Sequence, residues 1–285
     1  IMSVAVRFPL EDVEVRKVHK PRRVMEPLYS ESYWQMNQDE FAMQVEGVGE
    51  FYARDGSYVE YAPADRAGNS ELELYLNGSV YGAILHQRKI LPFHGSSFRY
   101  NGVTVLVCGD TGAGKSSLTA AFCLDGAEFM TDDVTPVVIK EGIPYLMALS
   151  DRMKLWADTL KQLEREVDGL MNIHRRADKF YLPMERAAGD LFRPDMVLLI
   201  VVKESGAVDF TEVTGTGRFA ALRGEIYRPE YLHGMPENEL QYFSVLLNMA
   251  SAIRMIRVTR PAEIRVSELR TSIIEYMEVN EAETH

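Results

Sequence analysis

Eight consecutive residues constrain this chain more than any other stretch. Gly109 to Ser116 read Gly-Asp-Thr-Gly-Ala-Gly-Lys-Ser, a full match to the P-loop pattern. A loop of this kind works only between a strand and a helix, and the flanks comply. Residues 103–108, Val-Thr-Val-Leu-Val-Cys, are apolar and β-rich, which predicts a buried parallel strand. Leu118, Ala121 and Phe122 fall at helical spacing and Asp125-Gly126 ends the run, which predicts a short helix. Gly112 and Gly114 allow backbone conformations that turn successive N–H groups inward as an anion nest. The start of the helix adds its positive dipole end. Lys115 can reach the β- and γ-phosphates, and the Ser116 hydroxyl can complete Mg²⁺ coordination. The pattern predicts a nucleoside triphosphate, ATP in our reading, with Mg²⁺. Its cradle would be Gly109, Asp110, Thr111, Gly112, Ala113, Gly114, Lys115, Ser116 and Ser117.

Composition narrows the partners. A chain of 285 residues has room for one large domain or two smaller ones. The formal net charge of −11 argues against a nucleic-acid surface. No apolar run approaches the length of a membrane span, so no membrane partner is expected and the cytoplasm is the expected location. Cys108 and Cys123 bracket the glycine loop and read as small apolar packing groups. None of the histidines stands at metal-ligand spacing from another His or Cys, which argues against zinc.

The first ninety or so residues read as a β-rich lobe, with a hairpin signal at Asp55-Gly56 between residues 50–54 and 57–61. Leu72, Leu74 and Leu76 alternate as in a strand, Asn77-Gly78 reads as a turn, and residues 79–91 suit a helix that joins the lobe to the core. Beyond the loop helix, residues 127–131 read as a second core strand and 134–148 as a hairpin around Glu141-Gly142. Residues 151–170 read as an amphipathic helix with Leu155, Leu160, Leu163 and Val167 on one side. Residues 196–202 form a continuous apolar strand, 237–255 a helix, 256–259 a short strand and 265–278 a last helix. Strands alternating with helices around a P-loop predict an α/β fold. The expected domains are a lobe over residues 2–88 and a core over 89–285.

Phosphoryl transfer also needs a carboxylate for the metal and a group to orient the nucleophile. The strand 196–202 ends in Lys203-Glu204, not in Asp. Asp132 and Asp133 lie seventeen and eighteen residues after Lys115, at the carboxyl end of the next expected strand. Ligands of open α/β sheets gather at such strand ends. One aspartate can hold Mg²⁺ while the other accepts a proton from an attacking hydroxyl. Cations that would steady the transferred group are Lys154, Lys179 and Arg228, which stand in segments marked out by the family resemblance described next. Arg175-Arg176 reads as a loop charge pair.

Phe93-His94-Gly95-Ser96-Ser97, the loop 109–116 and Thr131-Asp132-Asp133 together resemble the catalytic core of HPr kinase/phosphorylase, including a histidine twenty-one residues before the lysine. The resemblance covers residues 90–140 well and the rest loosely. It implies a P-loop kinase core related to the phosphoenolpyruvate carboxykinases, acting on a peptide or protein serine. It implies Asp132 as base, Asp133 as Mg²⁺ ligand with Ser116, and His94 as a catalytic residue beside Lys115. The run Glu, apolar, Arg, Gly, apolar, Gly of the bifunctional members is missing downstream, which argues against phosphorylase activity and against HPr itself as the substrate. Residues 152–156, 179–183 and 226–230 are similar to HPr-kinase-related proteins of lasso-peptide biosynthesis, which phosphorylate a precursor peptide on its C-terminal serine. Related kinases assemble, which admits a homo-oligomer.

The reading is an ATP- and Mg²⁺-dependent serine kinase. Its rivals are a nucleotide-gated partner-binding protein that transfers nothing, and a small-molecule or carboxykinase-type enzyme.

Overall fold

The computed structural model describes residues 6–174 and 177–282, so Arg175-Arg176 lies outside the described residues. The chain divides into two units. The first comprises Ile1–Pro92, Pro136–Val138 and Ile226–Val245, and the second Phe93–Thr135, Ile139–Glu225 and Leu246–His285.

In the first unit, alternation of apolar and polar residues builds a six-stranded sheet. Its strand order is Glu14–Lys17, Tyr58–Pro63, Gly49–Arg54, Glu40–Val45, Trp34–Met36, Tyr29–Ser30. The expected hairpin is present: Arg54 faces Tyr58 across a three-residue turn, Asp55-Gly56-Ser57, in which Asp55 and Gly56 adopt positive φ. The Tyr231 ring packs 5.2 Å from both Trp34 and Phe41.

The strand expected at residues 72–76 is a helix, Asn69–Tyr75, continued by a π-helical turn over Leu76–Val80 that absorbs the expected Asn77-Gly78 turn. Leu72 and Leu76 alternate with Glu73 and Tyr75, yet they also stand four apart, and both are buried with Val80 on one helical face. Glu and Leu are strong helix formers, and the Glu71 carboxylate accepts the Gly68 N–H at 3.1 Å, holding the first turn. A helix over Tyr81–Gln87 follows.

The second unit is a mixed α/β layer. Its six-stranded sheet runs Glu128–Thr131, Gly95–Tyr100, Val103–Gly109, Met196–Lys203, Arg254–Pro261, Asp209–Glu212. The three strands Val103–Gly109, Met196–Lys203 and Arg254–Pro261 are parallel neighbours, and antiparallel strands flank them. Helix Lys115–Cys123 packs on the sheet, with Phe122 stacked on Phe98 at 4.5 Å. Helix Val266–Ala282 sends Leu269, Ile273 and Met277 into the same core, four residues apart each time.

The long helix expected over 151–170 is instead a strand, Arg152–Trp156, and a short helix, Ala157–Gln162. Met153 and Leu155 are buried and two apart, the strand period, and the segment pairs with Ala177–Pro183 in a three-stranded sheet. Glu164 at φ 54 then breaks the chain away from helical geometry. Among the described residues, no helix is long and apolar enough to cross a membrane.

Candidate functional site

Strand Val103–Gly109 delivers the glycine loop to the carboxyl edge of the sheet. Gly109 pairs with Ile200, and a Cβ at this position would collide with the Ile200 carbonyl oxygen. Gly114 adopts φ 94 as the residue before helix Lys115–Cys123, a conformation that a side chain disfavours. The Lys115 ammonium donates to the carbonyl oxygens of Gly109 at 2.6 Å and Asp110 at 3.2 Å, folding back over its own loop. Burial lowers its pKa, against the opposing pull of Cys108, Glu225, Asp133 and Asp132.

Strand Glu128–Thr131 ends at the same edge. The Thr131 hydroxyl shares hydrogen bonds of 2.6 Å with Ser97 and Thr135, which fixes the chain just before the two aspartates. Asp133 sits at φ 72, in the left-handed region that Asp tolerates better than most side chains. The aspartates therefore face different neighbours. Asp132 Oδ2 accepts the Lys154 backbone N–H at 2.7 Å, while its Oδ1 is buried with no hydrogen-bond partner. Burial and the neighbouring Asp133 charge raise the Asp132 pKa, and the Lys154 amide and the Ser116 hydroxyl act against them. Asp133 Oδ2 accepts from Lys154 Nζ at 2.7 Å, and its Oδ1 lies 3.8 Å from His94 Nδ1. Burial pushes the Asp133 carboxyl up, but the charge and hydrogen bond of Lys154, with His94 and Lys179, hold it well below the usual carboxylate range.

A cleft of about 420 Å³ opens over these groups. Of the residues expected in the site, His94, Thr111, Gly112, Gly114, Lys115, Ser116, Ser117, Asp133, Lys154 and Lys179 line it. Gly109, Asp110, Ala113 and Asp132 belong to the same segments without lining the cleft. Arg228 belongs to the first unit, where its Nη2 donates to Ser79 Oγ at 3.1 Å and its Nη1 lies 3.5 Å from Glu230.

Residues unforeseen in the sequence complete the site. Arg260 lines the cleft and donates from Nε to the Ala113 carbonyl at 3.0 Å. It stands at the carboxyl end of a core strand, the same cue that singled out the aspartates. Glu225 accepts the Gly109 N–H on its carboxylate at 3.0 Å and the His94 N–H on its backbone carbonyl at 2.7 Å. No local pattern marks Glu225, because long-range packing brings it there.

The donor set fits Mg²⁺. The ion takes oxygen ligands and, in nucleotide sites, completes its shell with phosphates and water around one or two carboxylates. The Ser116 hydroxyl and the orphaned Asp132 Oδ1 are oxygen donors of that kind. Among the described residues, no group of three or more His, Cys, Asp or Glu gathers as a metal cluster.

No protein-family profile matches the sequence, and no curated protein matches it. Among solved structures, the Hpr(Ser) kinase/phosphatase from Coxiella burnetii is similar over 67% of this chain and 98% of its own, at 11% identity and a TM-score of 0.36.

Proposed function

We propose that this chain is a phosphotransferase that moves the γ-phosphoryl group of ATP to a serine hydroxyl of a peptide or protein. One observation carries the reading: of two consecutive aspartates next to the glycine loop, Asp132 lies beside Ser116, and Asp133, which lines the cleft, lies beside Lys154 and His94. Bound Mg²⁺-ATP supplies the phosphoryl group and the charge that neutralises its oxygens. The loop amides and Lys115 bind the phosphates. Ser116 and Asp132 would hold the cation, because they supply neighbouring oxygens, one of them a buried oxygen without a partner. Asp133, which lines the cleft and stays ionised, orients the acceptor hydroxyl and takes its proton as the new O–P bond forms and the bond to the departing ADP breaks. Lys154, Lys179 and Arg260 stabilise the charge on the transferred group.

This assignment exchanges the roles that the family resemblance implies for the two aspartates. The reason is placement: Asp133 lines the cleft and Asp132 lies behind it. The acceptor rests on sequence resemblance in residues 152–156, 179–183 and 226–230, which favours the C-terminal serine of a lasso precursor peptide.

Labelled ATP offered with candidate peptides tests transfer. Asp133→Asn should keep the ATP affinity within about twofold and slow transfer roughly 100-fold or more. Unchanged transfer in that variant, or tight ATP binding with no label moved to any serine peptide, would overturn the proposal.

A further inference from the structure

The first unit carries a charge anomaly that phosphoryl transfer does not use. Residues 16–23 read Arg-Lys-Val-His-Lys-Pro-Arg-Arg, five cations without a carboxylate, on a chain of net charge −11. The segment leads into a strap that crosses the six-stranded sheet from strand Tyr58–Pro63 to strand Trp34–Met36. Hydrogen bonds pin it on the way. The Val18 N–H donates to the Tyr61 carbonyl at 2.9 Å, and the Arg22 N–H to the Glu60 carboxylate at 2.9 Å. The Met25 N–H donates to the Glu40 carboxylate at 2.8 Å, and the Leu28 N–H to the Met36 carbonyl at 2.9 Å.

Two of the cations are neutralised within the unit. Arg16 pairs with Glu14, and Arg22 Nε lies 3.1 Å from Glu60, which is 5% exposed. Lys20 and Arg23 differ. Both are exposed, and among the described residues neither side chain makes an ion pair or hydrogen bond. Both line a groove of about 460 Å³, so the pinned backbone holds two unpaired cations at one opening.

The rest of the groove selects the kind of anion. Tyr33, half exposed, offers it an apolar ring with a polar tip. Gln35 and Gln44 add amides, while Glu31 and Glu50 interrupt the positive field. The Glu31 carboxylate is engaged by the Tyr29 hydroxyl at 2.7 Å, yet it keeps its charge. Carboxylates at these points repel a nucleic-acid strand, whose charge recurs at every phosphate. They tolerate a peptide, in which acidic side chains alternate with neutral amides and apolar groups.

We infer that this groove is a docking site for an acidic peptide segment, which sets Asp or Glu side chains at Lys20 and Arg23 and an apolar side chain on Tyr33. The site goes beyond the phosphotransfer reading, since it lies in the first unit, requires no nucleotide and moves no group.

Fluorescence anisotropy on the full chain tests this with labelled poly(Glu,Tyr), a random acidic copolymer that contains no serine. The parent should bind it. Lys20→Glu combined with Arg23→Glu turns two attractions into repulsions and should weaken binding roughly tenfold or more. Both positions are exposed, so the urea midpoint should stay that of the parent. Lys154→Ala, which removes a cation from the cleft of the second unit, should leave copolymer affinity within about twofold. Absence of binding by the parent overturns the site, as does equal binding by the double variant. A labelled oligothymidylate that the parent binds more tightly than the copolymer, and the double variant does not, overturns the peptide in favour of a nucleic acid. Transfer from labelled ATP is measured separately, so failure here leaves the phosphotransfer reading standing.

Discussion

Lys154 concentrates the chemistry of the site in one residue. Its backbone N–H holds Asp132 and its ammonium holds Asp133, each at 2.7 Å. Substitution separates the two tasks, because Lys154→Ala keeps the amide and loses the charge. The Asp133 carboxyl, now held low chiefly by that charge, should then titrate at higher pH. Transfer requires the ionised form, so the acid limb of the pH–rate profile should move to higher pH in Lys154→Ala. The rate at neutral pH should fall roughly 10- to 100-fold, and Lys154→Arg should restore part of it. An acid limb that stays in place would separate Lys154 from Asp133. At this scale the glycine loop, the aspartates, His94 and two lysines were legible, since spacing and strand-end position mark them. Arg260 lay one residue past the strand expected at 256–259, and Glu225 had no local cue.

At the scale of elements, the segment 151–170 shows why spacing alone can mislead. Leu155, Leu160, Leu163 and Val167 trace a helical stripe, but Met153 and Leu155 trace a strand, and pairing with Ala177–Pro183 decides between them. Turning this segment into a strand places Lys154 on the aspartates, which a continuous helix would not do. The two readings differ in stability. Leu155 is 1% exposed and Val167 36% exposed. Leu155→Ala should cost about 3 kcal/mol in urea unfolding, and Val167→Ala no more than about 0.5 kcal/mol. Similar losses at both positions would restore the helix. The parallel core strands Val103–Gly109 and Met196–Lys203 were legible because their central residues are buried on both faces, which leaves a near-continuous apolar run. The helix over Asn69–Tyr75 was not, because Glu-Leu-Glu-Leu satisfies both periods and only its burial separates them.

For the whole molecule, the balance of charge and the buried polar groups set how it responds to pH and to ligands. Lys115, Lys154, Lys179 and Arg260 line one cleft on a chain of net charge −11, so the cleft draws anions against the general field of the chain. In the first unit, His86 is fully buried; its Nε2 lies 2.9 Å from the Tyr227 carbonyl and its Nδ1 3.1 Å from the Tyr242 hydroxyl. Burial lowers its pKa from 6.5 to about 4, opposed by the Tyr227 contact. The unfolded chain thus binds a proton that the folded chain refuses between pH 6.5 and 4. Stability from this group is complete above about pH 6.5 and is lost as pH falls toward 4, on the order of 3 kcal/mol in all. Urea midpoints of the parent and of His86→Gln should converge as pH drops through that window, and parallel curves would refute the role of His86. The order of the chain could not show that residues 136–138 and 226–245 belong with the first ninety, because that grouping exists only through contacts distant in sequence.

The two tryptophans fall on opposite sides of this division. Trp34 is 5% exposed inside the first unit, and Trp156 is 53% exposed at the cleft of the second, with Lys179 Nζ 5.5 Å from the centre of its ring. One indole therefore emits from an apolar setting and the other from water. The molecule carries two intrinsic optical labels of different colour, one for the integrity of its sheet and one for events in its cleft.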